Sequence, residues 1–97
     1  MKFQVTFHDK AGIDMDEIEK YLYQFYPSTA RNFFKKIKKQ LLQLEDMPYM
    51  YPAYEKDPYF RKMVLGEYLL FYSVNESRNL VIVHRIFHHS RDIKSLQ

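Results

Sequence analysis

The chain has 97 residues, a formal net charge of +3 and no cysteine. That length holds one domain with one modest core, and the missing thiols exclude a disulfide framework or a thiolate metal centre. No apolar run approaches a membrane span, so no membrane association is expected and the default location is the cytoplasm. Nine tyrosines and eight phenylalanines argue against disorder, because their rings supply the burial a small core otherwise lacks. The charge is uneven. Residues 1–27 set three lysines against five carboxylates, a sum of −2, which leaves +5 for the remainder.

Phe3, Val5 and Phe7 alternate with Lys2, Gln4 and Thr6, the period of a strand with one buried face. Asp9, Lys10 and Gly12 break that pattern. A helix is expected from about Asp14, where Asp14 and Glu17 form a capping-box-like pair. Its apolar stripe is Met15, Ile18, Tyr21 or Leu22, and Phe25. Tyr26-Pro27-Ser28 ends it, and Ser28 caps a second helix. There Ala30, Phe33, Phe34, Ile37, Leu41 and Leu44 form the core face, and Lys35, Lys36, Lys38 and Lys39 lie largely opposite. So short a turn makes the two helices an antiparallel hairpin.

Residues 48–58 hold three prolines and three tyrosines, an irregular connector packed on the surface by its rings. Strands follow over residues 59–65 and 68–74, with Gly66-Glu67 between them. After residues 75–79 turn the chain again, Leu80-Val81-Ile82-Val83 opens a last strand that ends among His84, Arg85, His88 and His89. Two tight turns in succession imply an antiparallel meander. The expectation is one α+β domain over residues 1–97: an antiparallel sheet, made of the N-terminal strand and a C-terminal three-stranded meander, packed on the helical hairpin, with a short C-terminal helix from about Ser90. Both faces of the last two strands are apolar, and a helical hairpin covers only one. The other face requires the C-terminal turn or another chain.

On these residues the chain resembles the RelE/ParE superfamily of bacterial type II toxins. The resemblance rests on Ala30-x-x-Phe33-Phe34-x-x-Ile37, Pro48-x-x-x-Pro52, Arg61, Tyr68-Leu69-Leu70-Phe71-Tyr72-Ser73-Val74, and Val81-x-Val83-x-Arg85-Ile86-x-His88-x-x-Arg91-Asp92. These pieces follow the family order over nearly the whole chain. The resemblance implies a cytoplasmic growth inhibitor silenced by a cognate antitoxin that wraps exposed sheet and helix surfaces. It also implies one of two activities: RelE-like cleavage of mRNA in the ribosomal A site, or ParE-like poisoning of DNA gyrase without nuclease chemistry. Operator contact normally belongs to the antitoxin, so direct DNA binding by this chain is not expected.

Cleavage through a ribose 2′-hydroxyl needs a base, an acid and cations on the phosphorane-like state. The candidates are Arg61 and Arg85 as phosphate clamps, His88 as acid or base, and Arg91 as a further phosphate contact. They are expected on one rim. The plainer reading of Arg85 is a structural ion pair with Glu67 or Asp92. The chain departs from many ribonuclease members in lacking a tyrosine beyond Tyr72 and in offering only Lys56 and Lys62 near the connector. That departure favours the ParE-like side. His84 and His88 lack a carboxylate pair at metal-ligand spacing, so neither zinc nor any other cofactor is expected.

Overall fold

The computed structural model describes residues 2–90. Strand β1 (Gln4–Phe7) leads into helix α1 (Asp9–Phe25), helix α2 (Pro27–Asp46), strand β2 (Arg61–Leu65), strand β3 (Tyr68–Asn75), a 3-10 turn (Glu76–Arg78) and strand β4 (Leu80–His88). The expected element order holds. The C-terminal helix expected from about Ser90 lies outside the described residues.

One expectation about the sheet is corrected. Its strand order is β1-β4-β3-β2, and β1 pairs parallel to β4, from Gln4 opposite Leu80 to Phe7 opposite Val83. The sheet is therefore mixed. The path of the chain explains it. Helix α1 carries on past the end of β1, and α2 brings the chain back until the Glu45 carbonyl accepts from the Phe3 N–H at 2.8 Å. Strand β2 then starts at the same end as β1, and after two reversals β4 runs in that same direction beside it.

Helix α1 begins five residues before Asp14. His8 is its N-cap, and its side chain accepts from the Lys10 N–H. Gly12 sits inside the helix. Helix α2 starts at Pro27, whose fixed φ and missing N–H suit a first helical position. In the β2–β3 hairpin, Gly66 has φ +59° and Glu67 does not share that sign, as in a two-residue type II′ turn.

The main core lies between the helices and one sheet face. It joins Ala11, Ile18, Leu22, Ala30, Ile37 and Leu44 to Met63, Leu65, Leu70, Tyr72, Val81, Val83 and Ile86. Phe33 and Phe34 pack against it half-buried, at its margin instead of its centre. The opposite sheet face is closed by the chain itself. Tyr54 and Phe60 of the connector cover Phe71 and Phe87, and all four are buried. Each such ring contributes about 1.5–3 kcal/mol on full burial. The connector is held by Tyr54 N–H to Phe60 C=O (2.8 Å) and Lys62 N–H to Pro52 C=O (3.1 Å). The apolar face expected to need a partner is thus covered by residues 52–60. Among the described residues, no helix is long and apolar enough to cross a membrane.

Candidate functional site

Strand β4 carries two of the candidate groups, Arg85 and His88, and a β-bulge precedes them. Phe71 lies opposite Arg85, but Tyr72 lies opposite Val83, which leaves His84 as the extra residue. Its Nε2 sits 2.7 Å from the Ser73 hydroxyl, and Phe60 and Tyr59 meet its ring edge-on. Burial, with a smaller contribution from the neighbouring His8, lowers the His84 pKa and so favours the neutral ring.

Past the bulge, β4 outruns β1, which stops at Phe7 opposite Val83. Helix α1 fills the vacated edge. Asp14, 5% exposed, accepts from Arg85 Nε at 2.8 Å, from Arg85 Nη2 at 3.0 Å and from the Ile86 backbone N–H at 3.0 Å. The pair is bidentate and charge-assisted, and the hydrogen bond to Asp14 raises the Arg85 pKa further. The guanidinium also lies over the Phe87 ring, 4.5 Å from its centroid. Asp14 is therefore not a helix cap, and the structural ion pair expected of Arg85 forms with this carboxylate; Asp92 lies outside the described residues. The carboxylate supplies the acceptor that a longer β1 would have given.

Arg61 stands on β2 one rung along β3 from Arg85, opposite Tyr72 where Arg85 is opposite Phe71, and so on the other sheet face. Its Nη1 donates to the Tyr51 carbonyl at 2.6 Å and contacts that of Tyr49 at 3.4 Å, with the guanidinium over the Tyr49 ring. It fastens the connector to β2. Close by, the Tyr72 hydroxyl donates to the Pro48 carbonyl at 2.7 Å. Burial pushes the Tyr72 phenol up to about 12, against a smaller lowering by the Tyr51 backbone and Arg61.

His88 lies opposite Tyr68, and Arg61 opposite Tyr72. Four residues along β3 separate these rungs, about 13 Å. Arg61 and His88 are thus far apart, and Arg85, one rung from Arg61, points to the opposite face, so the three do not share one rim; Arg91 falls outside the described residues. The His88 side chain is 42% exposed. Its Nε2 faces the Glu67 carboxylate at 3.7 Å and its Nδ1 the Ser90 hydroxyl at 2.7 Å. Beside it opens a cleft of about 640 Å³ lined by Tyr21, Tyr26, Phe33, Leu65, Tyr68 and others.

Reading the helix stripe missed the tip of the hairpin. Leu22 is buried, whereas Tyr21, Phe25 and Tyr26 are each about half-exposed and form ring pairs at 5.2 and 6.2 Å with Tyr21 at the centre. The hint was present in the sequence: Tyr21 and Phe25, four apart, fall beside the stripe once Leu22 fills it. The lysines of α2 at 35, 36, 38 and 39 are all exposed, a solvated face.

Two helices on a four-stranded mixed sheet make an α+β fold, which solved structures share. The Pseudomonas aeruginosa chromosomal ParDE toxin–antitoxin system superposes with a TM-score of 0.72 at 18% identity, covering 90% of this chain and 96% of that one. The free-state Escherichia coli toxin RelE, a double mutant, gives 0.64 at 17% identity, covering 99% and 90%. The Mycobacterium tuberculosis RelBE2 toxin–antitoxin complex gives 0.62 at 18% identity, covering 91% and 99%. No curated protein matches by sequence. The family model for the ParE toxin of type II toxin–antitoxin systems, parDE, matches residues 5–93. The chain belongs to that family and is a toxin of a type II system.

Proposed function

We propose that this toxin acts in the ParE manner, by docking on a protein target, DNA gyrase, and that a cognate antitoxin silences it. The observation that carries the reading is the commitment of Arg85. A phosphate clamp must offer its fork to a ligand, and this fork is spent on Asp14. Arg61 is engaged by connector carbonyls on the other sheet face. The missing tyrosine beyond Tyr72 and the family match favour the same side. A protein-contact toxin needs exposed apolar surface, and the half-exposed rings of Tyr21, Phe25 and Tyr26 supply it. For the antitoxin, the chain offers the groove between β1 and α2, lined by Val5, Phe7, Met15, Phe34, Ile37 and Leu41.

The rival reading is RelE-like cleavage of mRNA on the ribosome. It draws on one observation: His88, accessible at a cleft rim beside Glu67, is placed to exchange a proton with a bound hydroxyl. In that reading His88 is the acid or base, Arg91 adds a phosphate contact, and Arg61 and Arg85 are the remaining candidates.

The test is induction without antitoxin, followed by mapping of RNA 5′ ends and a supercoiling assay on purified gyrase. Growth arrest with intact mRNA, a DNA-damage response and lost supercoiling is the expected result. New RNA ends inside codons, absent in His88→Ala, would overturn it in favour of the nuclease. Absence of arrest would mark a family member that only binds its antitoxin.

A further inference from the structure

Glu67, His88 and His89 converge although they come from two separate stretches of chain. The β2–β3 turn presents Glu67 at the end of β4, and the His89 N–H donates to the Glu67 carbonyl at 2.8 Å, which fixes that approach through the backbone. Strand β4 ends at His88, so the alternation that sends successive side chains to opposite faces lapses there. The two imidazoles then lie on the same side, their centroids 4.6 Å apart and their planes 27° from parallel. One ligand atom from each of the three residues lies within 4.8 Å of the other two, and His88 Nε2 and the Glu67 carboxylate are already at 3.7 Å.

We propose that Glu67, His88 and His89 form a three-ligand site for a borderline divalent transition metal, zinc above all. Two imidazoles and a carboxylate are a donor set that suits zinc, with bonds of about 2.0–2.2 Å. Tetrahedral placement at such bond lengths sets the donors about 3.4 Å from one another. The His88–Glu67 separation nearly meets this, and side-chain rotation of the exposed Glu67 and His89 closes the rest. The second ring nitrogen of His88 is provided for. When Nε2 binds the metal, Nδ1 carries the proton and donates to the Ser90 hydroxyl, 2.7 Å away. This is the outer-shell bond that orients ligating histidines. The Ser90 N–H, now 3.2 Å from Nδ1, is exposed and passes to water. A three-ligand set leaves the fourth position open, beside the cleft lined by Tyr21, Tyr26 and Tyr68. Bound metal would cross-link the β2–β3 turn to the end of β4. The site is independent of which target the toxin poisons.

The experiment is calorimetric titration of the untagged, purified chain with zinc chloride, with magnesium chloride as the control for hard cations. One zinc per chain is expected, with a raised melting temperature and with NMR shifts of the His88 and His89 imidazoles that spare His8 and His84. His89→Ala and Glu67→Gln, both surface changes that leave the fold intact by circular dichroism, should each weaken zinc binding at least tenfold. His8→Ala should leave it unchanged. Absence of saturable zinc uptake would overturn the proposal. So would zinc uptake that survives the combined His88→Ala and His89→Ala change, or magnesium binding as tight as zinc.

Discussion

Removing the Asp14 carboxylate tests how the molecule is built and how Arg85 is used. In Asp14→Ala the guanidinium of Arg85, whose side chain is only 12% exposed, loses this bidentate carboxylate. The Ile86 N–H loses its acceptor at the same time. Breaking a buried ion pair from one side costs about 3–5 kcal/mol, because the remaining charge stays desolvated. A domain this size is stable by about 5–15 kcal/mol in all, so the loss is a large share of the total. At about 4–8 °C per kcal/mol for a chain of this length, the melting temperature should fall by at least about 12 °C. Urea unfolding followed by circular dichroism gives the free energy directly. The companion variant, Asp14→Leu with Arg85→Met, removes both charges and should recover most of the loss, with a coupling energy above about 2 kcal/mol in the double-mutant cycle. If Asp14→Ala costs under about 1 kcal/mol, the pair behaves as a surface ion pair and the reasoning fails. The double variant also bears on function. A folded, stable protein that still arrests growth agrees with a structural Arg85, while a folded protein without toxicity would refute that assignment.

Arg61→Ala should cost about 1–2 kcal/mol by freeing the Tyr49 and Tyr51 carbonyls, and hydrogen exchange should quicken over residues 49–54 while the helices stay protected. Tyr72→Phe should cost about 1–3 kcal/mol at neutral pH, since the buried Pro48 carbonyl loses its donor. Tyr72 also makes the fold sensitive to alkali. Its folded pKa lies above the unfolded value, so its contribution is complete below about pH 10 and is lost as pH rises through the folded value of about 12. Denaturant midpoints between these limits should fall less steeply in Tyr72→Phe than in the native chain. Gly66→Ala should cost about 1–2 kcal/mol from backbone strain alone, because its φ is +59° and open space surrounds the added methyl; a thermal melt checks it.

Much of the fold is legible in the sequence because local pattern and tertiary environment agree along the strands. Alternation marks β1, the Gly66-Glu67 turn marks the hairpin, and doubly apolar strands announce two covered faces. Asp14 misleads because Asp14-x-x-Glu17 imitates a capping box, while its actual partners stand 71 and 72 residues away. Nothing in the neighbourhood of Asp14 carries that information. The direction of β1 is likewise hidden, since a pairing between the first and last strands depends on how the hairpin returns the chain. The rings of residues 48–60 declare that they will pack, but not that Tyr54 and Phe60 will close the second sheet face. Arg61 and Arg85 read as phosphate clamps on one rim, but the register sets them on neighbouring rungs whose side chains alternate to opposite faces.

Asp14 also governs what the sheet can recruit. Beyond Val83, β4 presents to α1 a flank that β1 no longer covers, and a bare flank of donors and acceptors is a template for another chain. The carboxylate plugs it by occupying the Ile86 N–H, and residues 52–54 shield the outer side of β2 in the same way through Pro52 and the Ala53–Arg61 bridge. With these flanks occupied, the sheet offers fewer unpaired donors and acceptors on which a second copy could pair. Loss of Asp14 would therefore show itself twice, as a lower unfolding free energy and as concentration-dependent self-association.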